Sequence, residues 1–369
     1  MAEPKCRYFL NCGGCSAQHI DYSVQLENKK AVLARAVGDV EVKVFSGPEY
    51  RYRNRMDFIF HANGIGFRKK GDWKSIVDVK ECVISNDLLN SLAAEVREHF
   101  SGSDYFKVVQ HSGTFRYAVV RTPQEDSSIS FVLNSDSTKL QEAIEKVKEF
   151  AAKTSANNVV VTYVPSKTDH SISEDFFVVK GADMLREKYL GKEFLYSVQG
   201  FFQNNHVMAE KMQEYVHGLL SAHETSGYHL LDLYGGVGTF GVINADLFSG
   251  VTIVEEFQGS IDTAKKNINI NGCKNTKALC MDAKQLAKVD LPDKLFVITD
   301  PPRSGMHPKT IQQLNRLQPS VIIYISCNVQ QLAKDIPKFR EYKVKSAAMF
   351  DLFPQTPHSE SVVELVRKE

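Results

Sequence analysis

No run of about eighteen apolar residues occurs in the 369-residue sequence, which excludes a membrane-spanning helix. Met1-Ala2-Glu3-Pro4-Lys5 has no apolar stretch behind it, so the start does not read as a secretory signal. An excess of either charge is also missing. The 45 Lys and Arg stand against 44 Asp and Glu, so a globally basic nucleic-acid binder is not indicated, though a local patch stays open. Cysteine is too scarce for a disulfide scaffold, and seven is an odd number. Without an export signal, that points to a reducing, cytoplasmic compartment, with thiols free for metal or catalysis. Repeats and low-complexity linkers are absent. What remains is an ordinary globular balance, 43% hydrophobic and 24% charged, in a chain long enough for two domains.

Residues 1–20 read as a loop carrying cysteines and glycines, and 22–37 as a short helix. From 42 to 84 short strands alternate with turns at Gly47-Pro48, Asn63-Gly64 and Gly71-Asp72. Residues 87–100 and 139–152 have helical spacing, among strand-like runs at 117–121, 129–133, 159–163 and 176–179. After about residue 190 the pattern changes. Strands at 230–234, 251–255, 296–299 and 321–326 alternate with helices, which predicts a parallel sheet covered on both faces. Residues 343–350 and 361–367 read as a closing antiparallel pair. The expected organisation is α/β: an α+β region over 1–190, then a Rossmann-like domain over 191–369.

Six motifs carry chemistry. Asp232-Leu-Tyr234-Gly235-Gly236-Val237-Gly238 lies between a strand and a helix, where glycines admit a ligand close to the backbone. Glu255 ends the next strand, a place that suits ribose hydroxyls; a dinucleotide and S-adenosylmethionine (SAM) both fit. Asp282, after the following strand, suits an adenine amino group or a plain turn. Asp300-Pro301-Pro302-Arg303 and Ser326-Cys327-Asn328 each end a parallel strand and so face the ligand crevice. A helix N-terminus behind Cys327 favours thiolate, the strongest side-chain nucleophile near neutral pH. Glu360, at the end of the stretch Phe350–Glu360, is a candidate general base. His358 in that stretch reads equally well as structural. Cys6, Cys12 and Cys15, with Cys82 as fourth ligand, suit zinc or an iron–sulfur cluster equally. Finally, residues 50–74 hold seven Lys and Arg against two Asp, with aromatics between them. In a strand, Arg51, Arg53 and Arg55 share one face, and with Arg68 and Lys69 they suit phosphates, while the aromatics suit unstacked bases.

Taken together these pieces resemble the RNA uridine C5-methyltransferases, which make 5-methyluridine in tRNA and rRNA. The resemblance rests on Cys6…Cys12-Gly-Gly-Cys15, Tyr52-Arg53-Asn54, Gln199-Gly-Phe201-Phe202-Gln203-Asn204-Asn205, the glycine turn, Asp300-Pro-Pro-Arg303, Ser326-Cys327-Asn328 and Phe353-Pro354…His358-Ser-Glu360. They occur in family order across nearly the whole chain. The resemblance implies a class I SAM methyltransferase sheet preceded by an α+β RNA-binding domain with a cysteine-ligated cluster loop. It makes Cys327 the nucleophile at uracil C6 and Glu360 the base that removes the C5 proton. It places Gln203, Tyr234, Gly236, Gly238, Glu255, Asp282 and Asp300 at SAM, with Asp300 also positioning the uracil. It assigns Cys6, Cys12, Cys15 and Cys82 to a [4Fe-4S] cluster, which moves the even choice away from zinc.

The run Arg53-Asn54-Arg55-Met56-Asp57-Phe58 looks archaeal and favours uridine 54 in the tRNA T-loop, with 23S rRNA the alternative. No membrane and no obligate protein partner are expected. The small β-barrel module that many relatives carry ahead of the cluster is not expected either, since Cys6 is almost the first residue. Tyr234-Gly235 stands where relatives often have Phe-Cys, a mild change that keeps the aromatic. The Pro-Cys pair and Glu-Asn-Val of DNA cytosine methyltransferases are not found. Arg303 stands where amino-group methyltransferases carry Tyr or Phe. A non-catalytic RNA-binding protein on the same fold predicts loss of Cys327 or Glu360, and both are present.

Overall fold

The structure, a computed structural model, describes residues 2–368. Among them no helix is long and apolar enough to cross a membrane. The chain divides into two compact units, each built from three segments. The first comprises the residues up to Asp21, Pro48–Glu187 and Tyr196–His206. The second comprises Tyr22–Gly47, Lys188–Leu195 and the chain from Val207 onward.

The sequence reading puts one boundary near 190; the difference lies in two early elements and in Tyr196–His206, which belongs to the first unit. Strand Val42–Phe45 pairs in parallel with Tyr342–Phe350, Val42 lying opposite Ala347. Helix Tyr22–Val37 buries Gln25, Lys29, Leu33 and Val37, a stripe at four-residue spacing. Leu33 and Val37 join the second unit's core with Leu231, Val297 and Leu332.

The second unit holds an eight-stranded sheet. Its order is Val42–Phe45, Tyr342–Phe350, Glu360–Arg367, Val321–Ser326, Leu295–Thr299, His229–Leu233, Gly250–Glu255, Thr276–Cys280. The last five are mutually parallel. Leu295–Thr299 and Val321–Ser326 are wholly buried apolar runs, as strands covered on both faces must be. Chain order reverses at His229–Leu233, whose successors lie first on one side and then on the other. Such a reversal opens a crevice outside the carboxyl ends of the strands. Glu360–Arg367 runs antiparallel, with Ser361 opposite Ser326, so it starts at the edge where the parallel strands end.

The first unit holds a seven-stranded sheet: Asp72–Asp78, Gly64–Lys69, Arg55–His61, Phe115–Arg121, Ser128–Asn134, Asn158–Val164, Phe176–Lys180. One pair is parallel, Ser128–Asn134 with Asn158–Val164, and helix Leu140–Ala151 connects it. Strict alternation along Arg55–His61 sends Met56, Phe58 and Phe60 inward. There Phe60 meets Phe100, Phe115 and Phe131 at 5.8, 5.2 and 6.4 Å between ring centroids. The strands Met184–Tyr189 and Lys192–Ser197 are absent from the sequence reading, and the helix after the glycine turn is only Thr239–Ile243.

Candidate active site

The parallel sheet presents its ligand crevice where His229–Leu233 ends. Tyr234, Gly236 and Gly238 there take left-handed φ angles of 60°, 55° and 87°. Gly235 and Gly241 are small for packing reasons, since a Cβ on either would come within 2.7 Å of the Ile253 side chain. A Cβ at Gly236 meets nothing within 4 Å, so that stretch of backbone faces open space. The Glu255 carboxylate accepts from the Gly236 N–H at 3.3 Å and the Phe257 N–H at 2.9 Å. Asp232, which the sequence reading quoted without a role, is fully buried and accepts from the Gly241 N–H at 2.9 Å. Burial, reinforced by Asp300 and Glu255, pushes its carboxyl up to about 7. Asp282 caps the short turn that follows it. It accepts from the Lys284 N–H at 2.9 Å and pairs with Lys284 Nζ at 2.7 Å, so both oxygens have partners.

One step along the sheet edge, Asp300, Cys327 and Glu360 come together. They are 27 and 33 residues apart in sequence, but Asp300 and Cys327 end neighbouring parallel strands and Glu360 begins the antiparallel neighbour. Each acts electrostatically on the next. Burial, then Glu360 and Asp300, pushes the Cys327 thiol up to about 11, with only Arg303 and a backbone N–H opposing. Burial, then Asp300, raises Glu360 well above the carboxylate range. Burial alone takes Asp300 up to about 7. The expectation that the helix N-terminus holds Cys327 as thiolate is therefore corrected. Helix Val329–Asp335 has seven residues, and burial of the thiol, with two carboxyls acting on it, outweighs it.

Several residues that hold this constellation were missed. Asn328 caps that helix through the Gln331 N–H at 3.3 Å and donates to the Arg303 carbonyl at 2.9 Å, tying the Cys327 and Asp300 loops together. Buried Asp335 accepts from Tyr324 Oη at 2.8 Å and from the Met306 N–H at 3.3 Å. On the other side, Lys29 Nζ reaches Asp351 at 2.6 Å and the Phe353 carbonyl at 3.2 Å, and Gln25 pairs with Gln355 at 3.0 Å. These bonds pin the loop leading into Glu360 to the helix Tyr22–Val37. An N-cap Asn before a helix was a signal available for Asn328. Contacts spanning 322 and 330 residues have no sequence signal.

In the first unit Gln199 is tied down by Ser130 Oγ at 3.1 Å and Thr162 Oγ1 at 2.6 Å, and Arg121 donates to the Gly200 carbonyl at 2.8 Å. Gln203 lies on that segment, partly buried. Cys6, Cys12, Cys15 and Cys82 are free and partly exposed. Burial raises the thiols of Cys6 and Cys12 and pushes that of Cys15 up to about 12; in all three Cys82 adds to the rise. Among the described residues no three His, Cys, Asp or Glu form a group that could hold a metal ion.

The basic residues do not line one strand face. Arg51 turns with a left-handed φ of 59°, Arg53 makes an isolated bridge with Ser85, and of these three arginines only Arg55 lies in a strand. Three also have acidic partners: Arg51 with Glu81 at 2.6 Å, Arg55 with Asp57 at 2.9 Å, and Arg68 with Asp169 at 2.8 Å. Lys69 is exposed.

Residues 21–368 match the family model described as tRNA (Uracil-5-)-methyltransferase. The match begins after Cys6, Cys12 and Cys15 but includes Cys82. A tRNA (uracil(54)-C(5))-methyltransferase of Pyrococcus horikoshii is 34% identical over 365 residues, 98% of this chain and 85% of that protein. Its namesake from Pyrococcus abyssi is 32% identical over 368 residues, 98% of this chain and 86% of that protein. The crystal structure of a Pyrococcus abyssi tRNA (uracil-54, C5)-methyltransferase in complex with S-adenosyl-L-homocysteine superimposes with a TM-score of 0.79 at 29% identity. That superposition covers 96% of this chain and 86% of the other. With its Rossmann-like sheet and the match over nearly all of its length, this chain belongs to the tRNA (uracil-5-)-methyltransferase family.

Proposed function

We propose that the protein methylates C5 of a uridine in tRNA, with uridine 54 the favoured target and SAM the methyl donor. The observation that carries this reading is the meeting of Cys327, Glu360 and Asp300 at one sheet edge. Uracil C5 is a poor nucleophile until a thiolate adds to C6 and leaves an enolate. C5 then takes the methyl group from the SAM sulfonium, S-adenosylhomocysteine leaves, and C5 holds both methyl and proton. Glu360 removes that proton, the C5–C6 double bond re-forms, and Cys327 departs as thiolate. The uridine reaches Cys327 only when unstacked. Asp300 positions the uracil.

For the donor, Glu255 suits the ribose hydroxyls, and the open backbone at Gly236 admits the ligand beside Tyr234. Asp282 keeps free lone pairs for an adenine amino group beside its two present bonds, and Gln203 is retained on the family resemblance alone. The four thiols are assigned to a [4Fe-4S] cluster on the family resemblance, and Cys6, Cys12, Cys15 and Cys82 are all free and partly exposed, as ligands would have to be. A cluster spreads its ligands more widely than a single ion does. When bound it would hold the loop; methyl transfer needs nothing from it.

The test is nucleoside mass spectrometry after incubating protein and SAM with unmodified tRNA and, separately, 23S rRNA fragments. 5-Methyluridine at position 54 of tRNA is the expected result. Product only in rRNA overturns the choice of RNA, and product in neither favours an RNA-binding protein.

The thiol also sets a pH dependence. Below its pKa of about 11 the thiolate fraction rises about tenfold per pH unit. Single-turnover rates should climb from about pH 7 to about pH 9. A rate that peaks near pH 6 counts against Cys327 ionising within the rate-limiting step.

A further inference from the structure

We propose that Trp73 is a stacking platform for an unpaired base of the RNA substrate; the inference deepens the functional reading above and rests on it. Trp73 is the only tryptophan in the chain and is 56% exposed. It sits on Asp72–Asp78, an edge strand of the seven-stranded sheet. The ladder to Gly64–Lys69 pairs Lys69 with Asp72 and then Arg68 with Ile76, so Trp73, Lys74 and Ser75 bulge out between those pairs. A bulge of this kind re-aims the side chains it carries.

This bulge is built rather than loose. Asp72 accepts from the Lys74 N–H at 3.1 Å and from Ser75 Oγ at 2.5 Å. Arg68 donates to the Trp73 carbonyl at 2.6 Å while its other amino group grips Asp169 at 2.8 and 3.0 Å. The hairpin turn is held from behind as well. The Gly13 N–H donates to the Arg68 carbonyl at 3.0 Å, and the Lys70 N–H to the Asn11 carbonyl at 2.7 Å. The cysteine loop thus props up the hairpin tip. The backbone is fixed and the indole is left in solvent.

Charge identifies the occupant. Lys69, Lys70 and Lys74 are exposed on the same hairpin, and Arg68 and Lys74 lie 6.0 and 5.6 Å from the ring centroid. The acids facing them are Asp72 and Asp169, so four cations meet two carboxylates and the tip stays positive. Edge protection accounts for the lysines but not for an exposed tryptophan, which invites association. An aromatic face ringed by cations fits an unpaired base with a phosphate on either side.

With one tryptophan, the wild-type protein reports on itself. Unmodified tRNA should quench Trp73 emission saturably, at the concentrations that saturate methyl transfer, and fully paired duplex RNA should not. Trp73→Ala should raise the KM for tRNA about tenfold, with kcat and the KM for SAM near wild type, and Trp73→Phe should recover most of the loss. Unchanged emission while tRNA is being methylated overturns the inference and leaves the enzyme reading intact. Equal quenching by duplex RNA reduces the contact to charge and overturns stacking. An emission shift with protein concentration alone assigns the ring to a second copy and likewise overturns it. Saturable quenching by tRNA with no methyl transfer supports stacking and sinks the methyltransferase reading.

Discussion

Cys327→Ala should abolish methyl transfer to RNA, by a factor on the order of 10⁴ or more, while leaving SAM binding near wild type. No second nucleophile stands ready to replace it. Cys273 is buried and Cys280 lies on a strand at the far side of the sheet, its thiol donating to the Glu256 carbonyl at 3.3 Å. Cys327 is only partly exposed, and Ala removes a single sulfur atom, so its loss costs little packing and the variant should fold. Methyl transfer is read with labelled SAM, and SAM binding by calorimetry. Activity within tenfold of wild type would remove Cys327 from the mechanism. Loss of SAM binding together with activity would mean that the loop, not the thiol, had failed.

Glu360→Gln should give a different defect: methyl transfer without release. Cys327 and the acceptor carbon remain, so the thiolate adds and the methyl group arrives. The C5 proton then has no base, and the protein should stay covalently attached to methylated RNA. Multiple turnover falls on the order of 10²- to 10⁴-fold, the usual worth of a positioned base. On a denaturing gel the labelled methyl should migrate with a protein–RNA adduct that Cys327→Ala cannot form. The substitution is structurally mild, because burial and Asp300 already press Glu360 toward its neutral form and Gln has that shape and charge. Sustained turnover, or an adduct without methyl, would assign proton removal elsewhere; Asp300, which faces the same thiol, is then the group to test.

These two experiments concern residues that the sequence exposed by their position. Asp300, Cys327 and Glu360 each stand where an apolar run meets a turn, and β-branched runs such as Val321–Ser326 are legible as strands without any tertiary information. The long, fully buried strands and amphipathic helices were visible for the same reason. Short elements were not. Thr239–Ile243 has too few residues to show a period, and Met184–Tyr189 and Lys192–Ser197 carry consecutive charges, Arg186-Glu187-Lys188 and Lys192-Glu193, that hide their strand alternation. The basic cluster was legible only in part. Its local charge was counted along the chain, and Glu81, Asp87 and Asp169 offset part of it from segments outside the count.

The sequence by itself determined the class of the fold, the chemistry on offer and the residue types that carry it. Hydrophobic period, strand-end glycines and strand-end acids act through neighbours a few residues away, and such signals survive in one dimension. Only the tertiary structure decided that Tyr22–Val37 and Val42–Phe45 belong to the second unit and that Lys29 and Gln25 pin the loop before Glu360. It alone set the protonation state of the site. A pKa depends on which groups share a buried space, and at Cys327 those groups are two carboxyls contributed by neighbouring strands.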